Sequence, residues 1–221
     1  MTLKKVSFKV PPELWSSFAT QANGLSLLRG QFLNDVMAGE VEELKKELNG
    51  RRLSLRAKKY ISGLLKKSGA KSVNIELAEA TVSALNEIVQ KSNLVRDAFL
   101  CRLLIFLRGS DALLNHLEVP LLIDGRTPGG KLEALPTSPL KAMEAVKDDP
   151  MFYIRNFLDD QFSNIYTVHL PEELNWAACF LEDVDVPGSK ENKEQQRKYE
   201  DLFDLLEQSA FVGKSAEKKG N

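Results

Sequence analysis

The sequence predicts a mainly α protein in which two strand–helix–helix units pair within one chain, followed by a mostly helical C-terminal half. Three observations point there. LLRGQFLNDVM, from Leu27 to Met37, returns as LVRDAFLCRLL from Leu94 to Leu104, an offset of 67 positions, and self-similarity at a fixed spacing marks a repeated structural unit. The same offset lays Val73-Asn74-Ile75-Glu76-Leu77 on Val6-Ser7-Phe8-Lys9-Val10 with no gap in between. The charge is also divided along the chain. Residues 1–71 carry 14 Lys and Arg against 6 Asp and Glu, residues 72–110 carry 4 of each, and residues 111–221 carry 12 against 21.

The first element is a strand. Val6, Phe8 and Val10 alternate with Lys5, Ser7 and Lys9, the period of a half-buried strand. Pro11-Pro12 suits the first turn of a helix whose face is Leu14, Trp15, Phe18 and Ala22, and Asn23-Gly24 ends it. The second helix is expected from Leu27 to Leu48, with Ser26 as its N-cap and Leu28, Phe32, Leu33 and Val36 as its buried stripe. These elements make up unit one, residues 1–48.

A basic connector, residues 49–70, follows. RRLSLRAKKYISGLLKKSGAK, residues 51–71, holds eight Lys and Arg in 21 positions, with Leu55, Tyr60, Ile61, Leu64 and Leu65 at helical spacing. Such a helix can track a phosphate backbone or simply be a solvated connector; a basic amphipathic face could also touch an anionic membrane, but no membrane partner is expected.

Unit two, residues 71–110, repeats the order. Its strand alternates Val73, Ile75 and Leu77 with Ser72, Asn74 and Glu76, and its first helix faces inward through Val82, Leu85, Ile88 and Val89. Asn93 takes the N-cap place, and Val95, Phe99, Leu100 and Leu103 form the stripe of the second helix. One strand and two helices cannot bury a core or satisfy a strand's backbone alone. Two such units can, by pairing their strands antiparallel and interlocking their helices.

The segments KVSFKVPPELWSSF…NGLSLLRGQFLNDVM and SVNIELAEATVSAL…SNLVRDAFLCRLL resemble the ribbon-helix-helix DNA-binding fold of the Arc, MetJ and CopG repressors. The resemblance covers about residues 4–48 and 71–108, under half the chain. Most members are homodimers. This chain is similar to a tandem version, an intramolecular pseudo-dimer, as in certain relaxosome accessory proteins of conjugative plasmids.

The resemblance implies that the paired strands enter the major groove of double-stranded DNA. Lys5, Ser7, Lys9, Ser72, Asn74 and Glu76 would then read base edges. Lys donates to guanine, Asn pairs with adenine, and Ser serves either role. Glu76 departs from the pattern, since a carboxylate facing DNA is repelled by phosphates unless it accepts from cytosine. The starts of the second helices would hold phosphates through Ser26 and Arg29 in unit one and Asn93 and Arg96 in unit two. Arg51 and Arg52, opening the connector, extend that set.

Residues 111–221 do not continue the repeat. DGRTPGGKLEALPTSP reads as a long turn or linker. PLKAMEAV, DPMFYIRNFLDDQFSNIY, PEELNWAACFLEDV and KEQQRKYEDLFDLLEQ read as helical. Phe152, Ile154, Phe157, Leu158, Phe162, Trp176 and Phe180 offer a small core, and GKSAEKKGN at the end reads as disordered. This half is expected to be an acidic interaction or oligomerisation domain, binding a second copy or a protein partner.

Other chemistries find little footing. Gly125 to Lys131 fits a phosphate-loop spacing, but Leu132 stands where Ser or Thr would meet magnesium, and Pro136 interrupts the following helix. His116 and His169 are isolated, and Asp159-Asp160 reads as a solvated face. Cys101 and Cys179 lie in apolar runs without metal or redox spacing and read as buried free thiols in a reducing cytoplasm. No membrane span or signal segment is read, and no catalytic constellation, metal site or cofactor is expected. The expectation is a cytoplasmic, non-enzymatic, sequence-specific DNA-binding protein, as a transcriptional repressor or autoregulator. Its alternatives are a relaxosome or partition accessory protein and an interaction module that no longer meets DNA.

Overall fold

A computed structural model describes residues 2–118 and 151–217. The chain divides into two units, residues 1–180 and 181–221. The first contains strand β1 (Leu3–Val10), helices α1 (Pro12–Gly24), α2 (Arg29–Glu47) and α3 (Leu55–Lys67), strand β2 (Lys71–Ala78), and helices α4 (Glu79–Ser92), α5 (Arg96–Arg108), α6 (Asp111–His116) and α7 (Phe152–Asp160). Helices dominate the described residues, and β1 and β2 form one two-stranded antiparallel sheet.

The alternation in the strands fixes what the sheet buries. Phe8, Val10, Ile75 and Leu77 are buried, Val6 and Val73 half-buried, and the residues between them exposed. The register sets Lys5 across from Glu76, Ser7 from Asn74 and Lys9 from Ser72. Under the sheet, α1 contributes Leu14, Phe18 and Ala22, and α2 contributes Phe32, Leu33, Val36 and Met37. Phe18 stacks on Phe32 with ring centroids 6.3 Å apart. All ten residues from Ala98 to Leu107 in α5 are buried, so this helix is the centre of the core rather than one wall of it.

The junctions between helices differ from the sequence expectation. Ser26 and Asn93 are not N-caps. Both have left-handed backbones, φ 55° and 58°, and they close the turns that end α1 and α4. The N-caps are Leu28 and Val95, extended and without side-chain capping bonds. Asn suits a left-handed turn as well as a cap, and Ser26 takes the same left-handed place at the equivalent turn, so the composition of those turns left the two roles unseparated. As an extended residue outside the helical period, Leu28 leaves the buried stripe and is 74% exposed. Val95 stays buried, beside a turn that the connector covers.

That connector is part of the core. Ala57, Ile61 and Leu65 of α3 are buried, while Leu55 is exposed at its start. Asn34 ties α2 to the second strand: its Oδ1 accepts from the Ala78 N–H at 2.7 Å and from the Thr81 hydroxyl at 3.4 Å, satisfying the start of α4.

The first unit extends well past residue 110. Met151, Ile154, Leu158, Ile165, Tyr166 and Leu170 are buried. The stretch expected as a helix from Pro171 onward is two 3-10 helices, Glu172–Ala177 and Asp183–Asp185. Phe162, expected in a core, sits at φ 55° just past α7 and is fully exposed.

In residues 181–221, helix α8 (Lys190–Glu217) starts behind a serine cap. Ser189 Oγ accepts from the Asn192 N–H at 2.8 Å and donates to the Asp183 carbonyl. The helix runs through Glu217, over the first residues of the GKSAEKKGN tail. The PLKAMEAV segment and the Gly125–Lys131 loop lie outside the described residues.

Candidate nucleic-acid interface

The six strand residues expected to face outward are all exposed: Lys5, Ser7 and Lys9 on β1, and Ser72, Asn74 and Glu76 on β2. The backbone pleat puts them on one face, as three cross-strand pairs. The Lys9–Ser72 end carries one positive charge. At the other end Lys5 faces Glu76, so lysine and carboxylate offset each other, and the departure at Glu76 has a cation directly across from it.

The helix-start residues divide differently. Ser26 and Arg29 are exposed, and neither side chain has a hydrogen bond or ion pair among the described residues. Arg29 lines an open cleft of about 890 Å³ with Lys5, Trp15, Asn74 and Glu76. Asn93 and Arg96 are engaged inside the protein. Asn93 donates to the Leu53 carbonyl at 2.9 Å and accepts from Lys58 Nζ at 2.9 Å. Arg96 donates to the Ser7 carbonyl at 2.6 Å, lies 4.9 Å over the Phe8 ring, and has Asp97 at 3.6 Å.

Of the two connector arginines, Arg52 is exposed and Arg51 lies 4.2 Å over the Phe180 ring. A basic cavity of about 440 Å³ is lined by both, with Lys45 and Lys91. Those two lysines are already paired, with Glu42 at 2.8 Å and Glu87 at 2.6 Å.

Sequence reasoning passed over a buried polar cluster behind the ribbon. Arg102 donates through Nε to the Ile165 carbonyl at 2.6 Å and through Nη2 to the Val168 carbonyl. Glu47 Oε1 accepts from the Tyr166 and Thr167 N–H groups, each at 2.6 Å. Glu40 accepts from Arg155 Nη2 at 2.6 Å and from the Tyr166 hydroxyl. Side chains of α2 and α5 thus satisfy the backbone of residues 165–168, a segment without a regular partner.

Burial raises the Glu47 carboxyl to about 7, against the opposing pull of Arg102 and its backbone donors. It lowers Arg102 and, together with the Glu40 charge, raises Tyr166 well above the ordinary tyrosine value. Cys101 and Cys179 are buried free thiols, and burial pushes Cys179 up to about 12, so neither is a ready nucleophile. Within α5, Arg102 is hidden in an apolar run, and its partners are carbonyls over 60 positions away.

Among the described residues no group of three or more His, Cys, Asp or Glu is placed to hold a metal, and no helix is long and apolar enough to cross a membrane. No family model, curated protein or solved structure matches this chain.

Proposed function

We propose that residues 1–110 hold two ribbon-helix-helix units paired within one chain, and that the protein binds double-stranded DNA sequence-specifically through the ribbon. The observation that carries this reading is the exposed face with Lys5, Ser7, Lys9, Ser72, Asn74 and Glu76 in three cross-strand pairs. A two-stranded ribbon fits the major groove, and Lys, Asn and Ser are side chains that discriminate base edges there. The basic front, at net +8 over residues 1–71, suits a polyanion, whereas residues 111–221 at net −9 do not.

Transcriptional repression or autoregulation is the role this reading favours, with a relaxosome or partition accessory role as the second. The exposed Tyr199, Leu202 and Phe203 on α8 support a protein partner or second copy for the C-terminal part. An interaction module without DNA rests on Glu76, the one acid on the ribbon face.

The test is repeated selection of duplexes from a random-sequence pool by the full chain. A recovered sequence should bind more tightly than a scrambled one, with affinity falling steeply as salt rises. A pool that never enriches, with scrambled and parent duplexes bound alike, would sink the reading in favour of the interaction module.

A further inference from the structure

The two turns that the repeat makes equivalent have different surroundings. At the α1–α2 turn, Ser26 and Arg29 are exposed and unengaged, and Arg29 opens on the cleft beside β2. At the α4–α5 turn, Asn93 is held by Leu53 and Lys58, and Arg96 is folded onto Ser7 and Phe8.

Specific residues produce the difference. The offset sets Phe8 against Ile75, so Arg96 finds an aromatic ring where Arg29 finds an aliphatic side chain. It sets Asp97 against Gly30, so Arg96 has a carboxylate at 3.6 Å and Arg29 has none beside it. The connector exists once, and it lies against the second turn: Leu53 N–H donates to the Ser92 carbonyl at 2.8 Å, beside the Asn93 bonds. The cleft holds one carboxylate, Glu76, across the ribbon from Lys5, and no ion pair joins it to Arg29 among the described residues.

We infer that the chain grips its duplex from one side: a backbone phosphate is held at the Ser26–Arg29 turn, and the Asn93–Arg96 turn serves as an internal brace. This rests on the DNA-binding reading above. It makes docking directional. A paired-unit protein with two equal grips accepts a site in either orientation, whereas this one distinguishes the two flanks. An anion approaching Arg96 meets Asp97; one approaching Arg29 does not.

The experiment uses a duplex recovered from the random pool and replaces single phosphates by uncharged methylphosphonates along both strands. The expected map has one sensitive cluster, on one flank of the recognised sequence. Arg29→Ala should erase that cluster and lower the salt slope by about one. Gly30→Asp gives a second route to the same result, by supplying Arg29 with the carboxylate that Asp97 supplies to Arg96. A Cβ at Gly30 meets nothing within 4 Å, so this variant should fold. Two clusters placed symmetrically about the centre, or one cluster indifferent to both variants, would overturn the one-sided grip while leaving DNA binding intact. Failure to recover any duplex would instead remove the DNA-binding reading, and the grip with it.

Discussion

Ser7 and Asn74 lie directly across the ribbon from each other, and they are also the two residues that the 67-position offset makes equivalent. Antiparallel strands allow many registers, and a slip by one residue turns every side chain to the other face. The observed register satisfies both strands' buried sets at once and centres the two strand segments on this pair. Lys5 and Lys9 therefore lie on either side of the centre, facing Glu76 and Ser72.

From that position Asn74 is expected to contact the centre of a bound site. Its amide can pair with adenine, so Asn74→Ala should cost about 1–3 kcal/mol on the selected duplex and relax preference at one central base pair. As an exposed strand residue it should leave thermal stability nearly unchanged. Competition binding with central base substitutions measures the first, and a melting curve the second. A loss spread evenly over all sequences would count against base reading by this residue.

Asn34 works for the fold instead. It is buried, and its Oδ1 accepts from Ala78 and Thr81 where β2 passes into α4. Asn34→Ala leaves that N–H without a partner, and loss of such a cap costs about 1–2 kcal/mol. Urea unfolding should show the loss as a lower midpoint, and Asn34→Asp, which keeps the acceptor, should recover part of it.

What was legible in the sequence is what depends on periodicity. Val6, Phe8 and Val10 announce a strand with one buried face, and Phe32, Leu33 and Val36 announce a helix, because burial imposes those spacings locally. The ribbon residues followed from the same alternation. The roles of Arg96 and Asn93 did not, since they depend on Phe8, Asp97 and the connector meeting them in space. Arg102 was hidden for a related reason. Arginine is rarely buried, and nothing near it in sequence shows that the carbonyls of Ile165 and Val168 await it.

Glu40 holds the Arg155 guanidinium and the Tyr166 hydroxyl at once, within the core. Glu40→Ala would remove the buried carboxylate that Arg155 donates to and leave a fully buried hydroxyl without its acceptor. Removing one partner of such a pair costs about 3–5 kcal/mol. Glu40→Gln keeps the shape and an acceptor, so its loss should be smaller. Urea midpoints order the parent, the glutamine and the alanine variants in that sequence; equal stability of all three would show that the segment around Tyr166 contributes little to folding.

The Glu47 carboxyl gives the protein a pH dependence of unusual sign for an acid. Its folded value is raised from 4.5 to about 7, chiefly by burial, so the folded chain holds this proton more tightly than the unfolded chain does. The contribution is therefore fully present below about 4.5 and is lost as pH rises through about 7. The groups facing it are Arg102 from α5 and the donors of Tyr166 and Thr167, which limit the loss without cancelling it. By the free energy of a pKa unit, the effect is at most about 3 kcal/mol. Glu47→Gln keeps an acceptor for the two N–H groups and removes the charge. Unfolding free energies of parent and variant, measured from pH 5 to about pH 8, should diverge as pH rises, with the variant gaining on the parent and the gap levelling off above neutrality. Parallel curves would mean that Glu47 titrates as an ordinary carboxyl and that the water excluded from its site has access to it.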